Sequence, residues 1–142
     1  MPFLSYFTHP HWPTLSLISQ QSLVIQIHLL AAVAAFVVGA IQIFGPKGTM
    51  MHRILGWTWV IFMVTVAISS LWIKIINHGQ FSFIHLFSIV TLIAAPMLVY
   101  AARKHNVKRH SGIAIRLYAG ALLVAGLFTF FPGRLMYTMF FG

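Results

Sequence analysis

Histidine carries most of the acid–base and metal-binding chemistry open to this 142-residue chain. The chain has eight histidines and no aspartate, glutamate or cysteine. Carboxylate proton relays, hard-cation sites, two-carboxylate hydrolysis, thiolate metal sites and iron–sulfur clusters are therefore excluded. A catalytic triad is disfavoured because no carboxylate is present to orient its histidine. The chemistry that remains is chiefly that of imidazole as a ligand or as a titrating group.

The composition is that of an integral membrane protein. Hydrophobic residues make up 60% of the chain and charged residues only 6%, whereas soluble domains carry about 25% charged residues. The net charge of +9 comes from Lys and Arg in short connections between apolar runs. This pattern is typical of membrane topology and argues against nucleic-acid binding. We therefore expect one domain embedded in a lipid bilayer.

Four apolar stretches are each long enough to cross a hydrocarbon core of ~30 Å as helices. The predicted fold is an all-α membrane protein, an antiparallel four-transmembrane-helix bundle. The spans are predicted at about 22–44, 53–76, 81–102 and 111–131, between an interfacial N-terminal segment at 1–21 and an interfacial tail at 132–142.

The basic residues predict the orientation of the bundle. Only Lys74 and Arg134 lie at one face, whereas the other seven Lys and Arg flank the first–second and third–fourth connections. Those seven are Lys47, Arg53, Arg103, Lys104, Lys108, Arg109 and Arg116. Because cytoplasmic loops carry the excess of Lys and Arg, both connections are predicted to be cytoplasmic and both termini outside. The expected location is a bacterial inner (plasma) membrane.

Four histidines fall at two depths in this arrangement. His28 and His85 lie one to one and a half turns inside the outer ends of the first and third spans. His52 and His110 lie at the inner ends of the second and fourth spans. The two layers are roughly 20 Å apart at helical rise. Since alternate helices of a four-helix bundle are diagonal neighbours, each pair can reach into a shared central space.

Paired diagonal histidines predict bis-histidine ligation of one or two haem b groups. Small residues on the histidine-bearing faces leave room for a flat macrocycle. They include Ala32, Ala35 and Gly39 after His28, Gly56 after His52, and Ala114, Ala121 and Ala125 after His110. Two other interpretations remain open. Small residues also line ordinary membrane helix interfaces, and histidines near helix ends also serve as headgroup-level or hydrogen-bonding residues.

Cationic side chains would accompany such a cofactor. Arg53, Arg116 and Lys47 are placed to pair with the propionates of an inner haem, and Arg134 with those of an outer one. The alternative role of these residues is that of snorkelling anchors. Gln26 is a weaker candidate for contact with a quinone.

Two resemblances add to this interpretation. The first is carried by the motifs His52-Arg53-Ile-Leu-Gly56, Phe83-Ile-His85-Leu, Arg109-His110, Arg116-Leu-Tyr118-Ala-Gly120 and Phe130-Phe131-Pro132-Gly133-Arg134. They resemble a family of predicted bacterial four-helix membrane proteins with no assigned function. The resemblance runs from His28 to Arg134.

The second resemblance is architectural. The layout is similar to that of the di-haem, ascorbate-reducible cytochromes b, in which alternate core helices ligate an outer and an inner haem. Position by position, this resemblance implies that His28 pairs with His85 and His52 with His110. It also implies a role for the basic segment 103–109 in contact with a cytosolic reductant. The chain departs from that family in having four spans where the family has six.

Three functional hypotheses follow. The first is a transmembrane electron-transfer cytochrome b, a haem-dependent oxidoreductase exchanging electrons with a quinone or a redox protein. The second is a histidine-based copper- or zinc-binding membrane protein; the HxH pair His9 and His11 is a separate candidate for a surface metal. The third is an accessory or assembly subunit of a respiratory membrane complex. A larger complex or a homo-oligomer is compatible with each.

Overall fold

A computed structural model of the chain describes residues 16–76, 83–128, 130 and 135–141. Regular structure within these residues is helical. The elements are α1 (Ser16–Ser19), α2 (Leu23–Phe44), α3 (Met50–Ile76), α4 (Phe83–Arg103), α5 (Val107–Leu117), a π-helical segment (Tyr118–Val124), α6 (Ala125–Phe128) and α7 (Leu135–Phe141).

Among the described residues, three helices are long and apolar enough to cross a membrane. They are Leu23–Phe44, Met50–Trp72 within α3 and His85–Arg103 within α4. Large apolar side chains cover their outward faces: Leu30 is 73% exposed and Ile61 is 60% exposed. Such surfaces suit contact with lipid, and the prediction of a helical membrane protein is confirmed to this extent.

Local sequence signals set the ends of α2. The Ser22 side chain accepts a hydrogen bond from a backbone N–H of the first turn at 3.5 Å, as an N-cap residue does. At the other end, the Gly45 N–H donates to the Ile41 carbonyl at 2.8 Å. The Lys47 ammonium donates to the carbonyl of Ile43 at 2.6 Å. A cation at this position satisfies carbonyls that the helix leaves without an internal partner.

The fourth predicted span differs from the other three. The chain between Val107 and Phe128 is helical, but it is divided into α5, the π-helical segment and α6. Its first two turns contain Lys108 and Arg109, which interrupt the apolar pattern. That this segment crosses the membrane stays a prediction.

Two helices begin earlier than the predicted spans. α3 begins at Met50 and α5 at Val107, whereas spans were predicted from 53 and 111. His52 and His110 therefore lie within the first turns of helices, where the backbone fixes their direction.

Consecutive helices pack against one another, and their hydrogen bonds establish antiparallel directions. The start of α2 meets the end of α3 through His28 and Ser69, whose Nδ1 and Oγ atoms are 2.8 Å apart. The end of α2 meets the start of α3 where the Gln42 amide donates to the His52 carbonyl at 2.8 Å. The π-helical segment contacts both α2 and α4, which closes the ring of helices.

The core of the bundle is built where small residues let helices approach closely. Ala31, Ala35 and Gly39 form the buried stripe of α2. A Cβ atom on Gly39 would lie 2.6 Å from Trp59 Nε1 and 2.6 Å from the Tyr118 ring, a separation that no side chain tolerates. Glycine is therefore required where α3 and the π-helical segment converge on α2.

Candidate functional site

His52 and His110 lie side by side at one end of the bundle. Their ring centroids are 6.4 Å apart and the ring planes make an angle of 70°. Both rings are half-buried. The structure thus brings together the two histidines that the sequence predicted as the inner pair, although they come from helices 58 positions apart along the chain.

A short turn between α4 and α5 determines where His110 lies. His105 adopts a positive φ of 56°, which reverses the chain within a few residues. Asn106 then caps α5, because its side-chain oxygen accepts a hydrogen bond from the Arg109 N–H at 3.1 Å. His110 follows in the first turn, where it faces α4.

The hydrogen bond of His110 determines the tautomer of its ring. Its Nδ1 lies 3.1 Å from the backbone carbonyl of Leu98. Because a carbonyl oxygen only accepts hydrogen bonds, Nδ1 must carry a proton, and in the neutral ring Nε2 then has the free lone pair. Metal-bound histidines almost always have this arrangement, with the second nitrogen donating to a carbonyl or carboxylate. His110 is therefore prepared as a ligand through Nε2.

His52 has a different environment. Its backbone carbonyl is held by the Gln42 amide across the α2–α3 interface, so the position of the first turn of α3 is fixed. Its ring atom Nδ1 is buried without a hydrogen-bond partner among the described residues. A buried polar atom in this condition costs about 1–3 kcal/mol and commonly occurs at functional sites.

Both rings line a cavity of about 630 Å³, within the ~300–1,000 Å³ range of small-molecule and cofactor sites. Its deep part is apolar and aromatic, formed by residues such as Trp59, Val60 and Tyr118. Three cationic residues, Lys47, Arg53 and Arg103, line it as well. The cavity therefore combines imidazoles, apolar walls and positive charge.

Two hydrogen bonds to α2 fix the aromatic floor of this cavity. The Trp59 indole donates to the Ala35 carbonyl at 3.0 Å, and the Tyr118 hydroxyl donates to the Phe36 carbonyl at 3.0 Å. Tyr118 is the first residue of the π-helical segment. π-Helical turns are frequent at functional sites, and here the turn begins where the ring of helices closes.

Residues 25–140 match the family described as predicted membrane protein (DUF2306). The chain belongs to this family. No curated protein and no solved structure matches it significantly. The match confirms that the chain belongs to an uncharacterised family of membrane proteins, which is the coarser part of the first resemblance drawn from the sequence. It assigns no chemistry, so the similarity to the cytochromes b stays a prediction.

The spacing of the inner histidines fits ligation of one metal ion from both sides. With metal–nitrogen bonds of about 2.0 Å, and about 1.2 Å more from each nitrogen to its ring centre, opposed imidazoles have centroids about 6.4 Å apart. The separation of His52 and His110 is 6.4 Å. A haem also requires apolar walls and cationic partners for its propionates, and the cavity offers both. The residues present therefore fit a haem.

In the predicted outer pair, His28 forms a hydrogen bond with a serine of the neighbouring helix α3. The Ser69 hydroxyl donates to the Thr65 carbonyl at 2.6 Å. Its one proton is thereby used, so it accepts from His28, whose Nδ1 must carry a proton and whose Nε2 is left with its lone pair. His85 is half-buried in the first turn of α4. That His28 and His85 share a ligand stays a prediction.

The predicted propionate partners divide between different surfaces. Arg53 and Lys47 line the cavity of the inner histidines. Arg116 lines a separate depression. It lies on a different face of α5 from His110, because six residues correspond to about 600° of helical rotation, which leaves the two positions about 120° apart. Arg134 lies outside the described residues, as do His9 and His11.

A multi-histidine metal site finds no support in the described part of the chain. No group of three or more histidine, cysteine or acidic residues there is arranged to hold a metal ion. Two histidines are an incomplete set for a tetrahedral zinc site, but they are the usual number of protein ligands for a six-coordinate haem iron.

Sequence reasoning missed several contributors to these sites. Ser69 was not singled out, although a serine at the depth of a buried histidine is a detectable signal. No spacing in the sequence places Trp59 and Tyr118 together, and only the missing Cβ of Gly39 reveals their convergence. Arg103, which lies over the Trp57 ring at 5.9 Å, is predicted from the sequence as a topology signal and as part of a basic segment for partner contact, but not as a cavity residue. The Leu98 carbonyl leaves no trace in a sequence.

Proposed function

We propose that this protein is a membrane cytochrome b in which His52 and His110 would hold a haem near the cytoplasmic face. One observation carries the proposal. The two rings lie at the separation expected for ligands of one metal ion, and they line a cavity of about 630 Å³. The hydrogen bond from His110 Nδ1 to Leu98 supports it further, because it leaves Nε2 free to ligate.

The residues around the histidines have distinct tasks in this proposal. Arg53, Lys47 and Arg103 balance the propionate charge at the cavity mouth. Trp59 and Tyr118 exclude water from the opposite end, which lowers the local dielectric constant and strengthens the interactions of the buried charges. A bound haem supplies reversible one-electron transfer.

The proposal includes the membrane arrangement predicted from the sequence. The segment Val107–Phe128 forms a fourth span, both termini lie outside, and the bundle resides in a bacterial inner membrane. His28 and His85 would hold a second haem near the outer face, with Arg134 beside it. The two histidine layers, roughly 20 Å apart, would then hold redox groups at both faces, and such groups would supply electron exchange with a quinone or a redox protein.

A difference spectrum tests the proposal. The protein is purified from cells supplied with haem, and reduced and oxidised spectra are compared. The expected result is b-type α and Soret bands, with one or two haems per chain. Absence of these bands overturns it. Stoichiometric copper or zinc in a colourless protein favours the metal-binding alternative, and co-purification of a colourless protein with a respiratory enzyme favours the accessory-subunit alternative.

A further inference from the structure

A second depression, of about 440 Å³, lies between α4 and α5 near the same end of the bundle. Three cationic residues line it: Lys108, Arg109 and Arg116. All three are exposed. The chain has no aspartate or glutamate, so no acidic side chain within it can neutralise this cluster. An anion that neutralises this cluster must therefore come from outside the chain.

The cations are arranged around an open groove. Arg109 and Arg116 are seven residues apart, which places them on one face of a helix about two turns, or ~10 Å, apart. Gly112 lies between them and also lines the depression. A Cβ atom at Gly112 would meet nothing within 4 Å. Both guanidinium groups can therefore approach one anionic group above Gly112.

The position of Arg116 along α5 limits which class of anion can reach it. Arg116 is nine residues beyond the start of α5 at Val107, and this corresponds to ~13 Å along the helix axis. Basic residues that only set topology lie at or beyond helix ends. An arginine further inside a span is costly unless its charge is paired or reaches the interface.

The floor of the depression is apolar, formed by Met97 of α4 and Ile113 of α5. A soluble anion gains nothing from such a surface, whereas a lipid covers it with its glycerol backbone and upper acyl chain. Basic pockets between transmembrane helices on the cytoplasmic side bind anionic lipid headgroups in this way. An acidic cytosolic protein would leave the buried end of the groove unfilled.

We infer that Arg109, Arg116 and Lys108 bind the phosphate of an anionic phospholipid of the cytoplasmic leaflet, with its chain lying over Met97 and Ile113. The inference rests on the four-span arrangement proposed above and is independent of haem.

Spin-labelled lipids test this inference. The full chain is reconstituted in phosphatidylcholine vesicles containing a trace of spin-labelled phosphatidylglycerol or spin-labelled phosphatidylcholine. Electron paramagnetic resonance gives the fraction of each label immobilised by the protein. We expect preference for phosphatidylglycerol, reduced about fivefold by Arg116→Gln or Arg109→Gln, as ~1 kcal/mol per cation implies. Arg116→Lys retains most of the preference, which separates loss of charge from misfolding.

Lys104→Gln is the matched control, since it removes an equal charge at a residue that packs over the Tyr100 ring. An equal loss in Lys104→Gln overturns the inference in favour of general surface charge. Absence of any lipid preference also overturns it, as does displacement of the phosphatidylglycerol label by excess inorganic phosphate. The difference spectrum of the same samples separates the two proposals, because haem bands without lipid preference contradict this inference alone.

Discussion

The inner and outer histidine pairs of this bundle were predicted from equal depths in the membrane, but the structure gives their rings different surroundings. Both were derived by the same argument from alternate helices. At the inner layer, His52 and His110 share one cavity with ring centroids 6.4 Å apart. At the outer layer, the hydrogen bond of His28 is to Ser69 on the adjacent helix α3. The difference teaches that depth selects candidate histidines, whereas helix rotation and side-chain volume determine what surrounds each ring.

Small residues explain why the inner end opens. Gly39, Gly56 and Ala114 line the inner cavity, and a Cβ atom on Gly56 would already lie 3.2 Å from the Gln42 amide. The helix that carries His85 continues with bulkier residues such as Leu92 on the same face. Volume on that helix works against a wide outer cavity.

The largest expected effect is loss of the inner haem. His52→Ala and His110→Ala each remove one axial ligand, so each variant should lose one haem equivalent in a pyridine haemochrome assay. His11→Ala, which removes a histidine outside the predicted spans, is the control and should retain full haem content. Retention of haem in both inner variants would show that these rings are not its ligands. The same assay on His105→Ala tests a third histidine of the cavity.

Replacement of the outer histidines tests whether the outer layer binds haem as the inner layer is proposed to do. If the layers are equivalent, His28→Ala and His85→Ala each remove one haem and leave the inner haem in place. The bands remaining in the low-temperature difference spectrum should then be those lost from the His52→Ala variant. Loss of haem in only one of the two outer variants would mean that these residues do not act as a pair.

Ser69→Ala should weaken the outer site without abolishing it. The change removes the acceptor of the His28 Nδ1–H, and loss of such an outer partner typically costs 10–100-fold in metal affinity. Haem titration of the apoprotein measures this effect. Ser70→Ala alters a neighbouring serine that is also buried (7% exposed), and it should leave the titration unchanged. Equal behaviour of both variants would contradict the role assigned to Ser69.

Gly39→Ala should destabilise the region between the two layers. The added methyl group would overlap the Trp59 indole and the Tyr118 ring, and overpacking of this kind typically costs about 1–3 kcal/mol. Gly126→Ala is the matched control, because its Cβ atom would meet nothing within 4 Å. Thermal unfolding in detergent should show a lower midpoint for Gly39→Ala alone. Equal unfolding midpoints for Gly39→Ala and Gly126→Ala would contradict the close packing of Trp59 and Tyr118 against Gly39.

Tyr118→Phe should have the smallest effect. It removes the hydroxyl that donates to the Phe36 carbonyl, and one such hydrogen bond contributes about 0.5–1.5 kcal/mol. The ring stays in place, so haem content should be retained while the thermal midpoint falls slightly. A loss of haem as large as that in His110→Ala would instead make Tyr118 part of the ligand site.

Much of the fold was predictable because membrane helices follow from local composition. The spans at 22–44 and 53–76 were within a few residues of α2 and α3, since runs of apolar residues between Gly, Pro and basic residues leave few other structures. The division of Val107–Phe128 around a π-helical segment was not predicted. It arises where Tyr118 reaches across to α2, a long-range contact that the local pattern does not encode.

The sequence by itself determined that this protein lies in a membrane, and it predicted histidine as the residue on which any ligand chemistry depends. Composition suffices for this, because a chain with 6% charged residues and no carboxylates excludes the alternatives. Only the tertiary structure decided that His52 and His110 meet and that Arg116 faces away from them. Those outcomes depend on the rotation of each helix, which is fixed by contacts such as Gly39 against Trp59 between residues far apart in the chain.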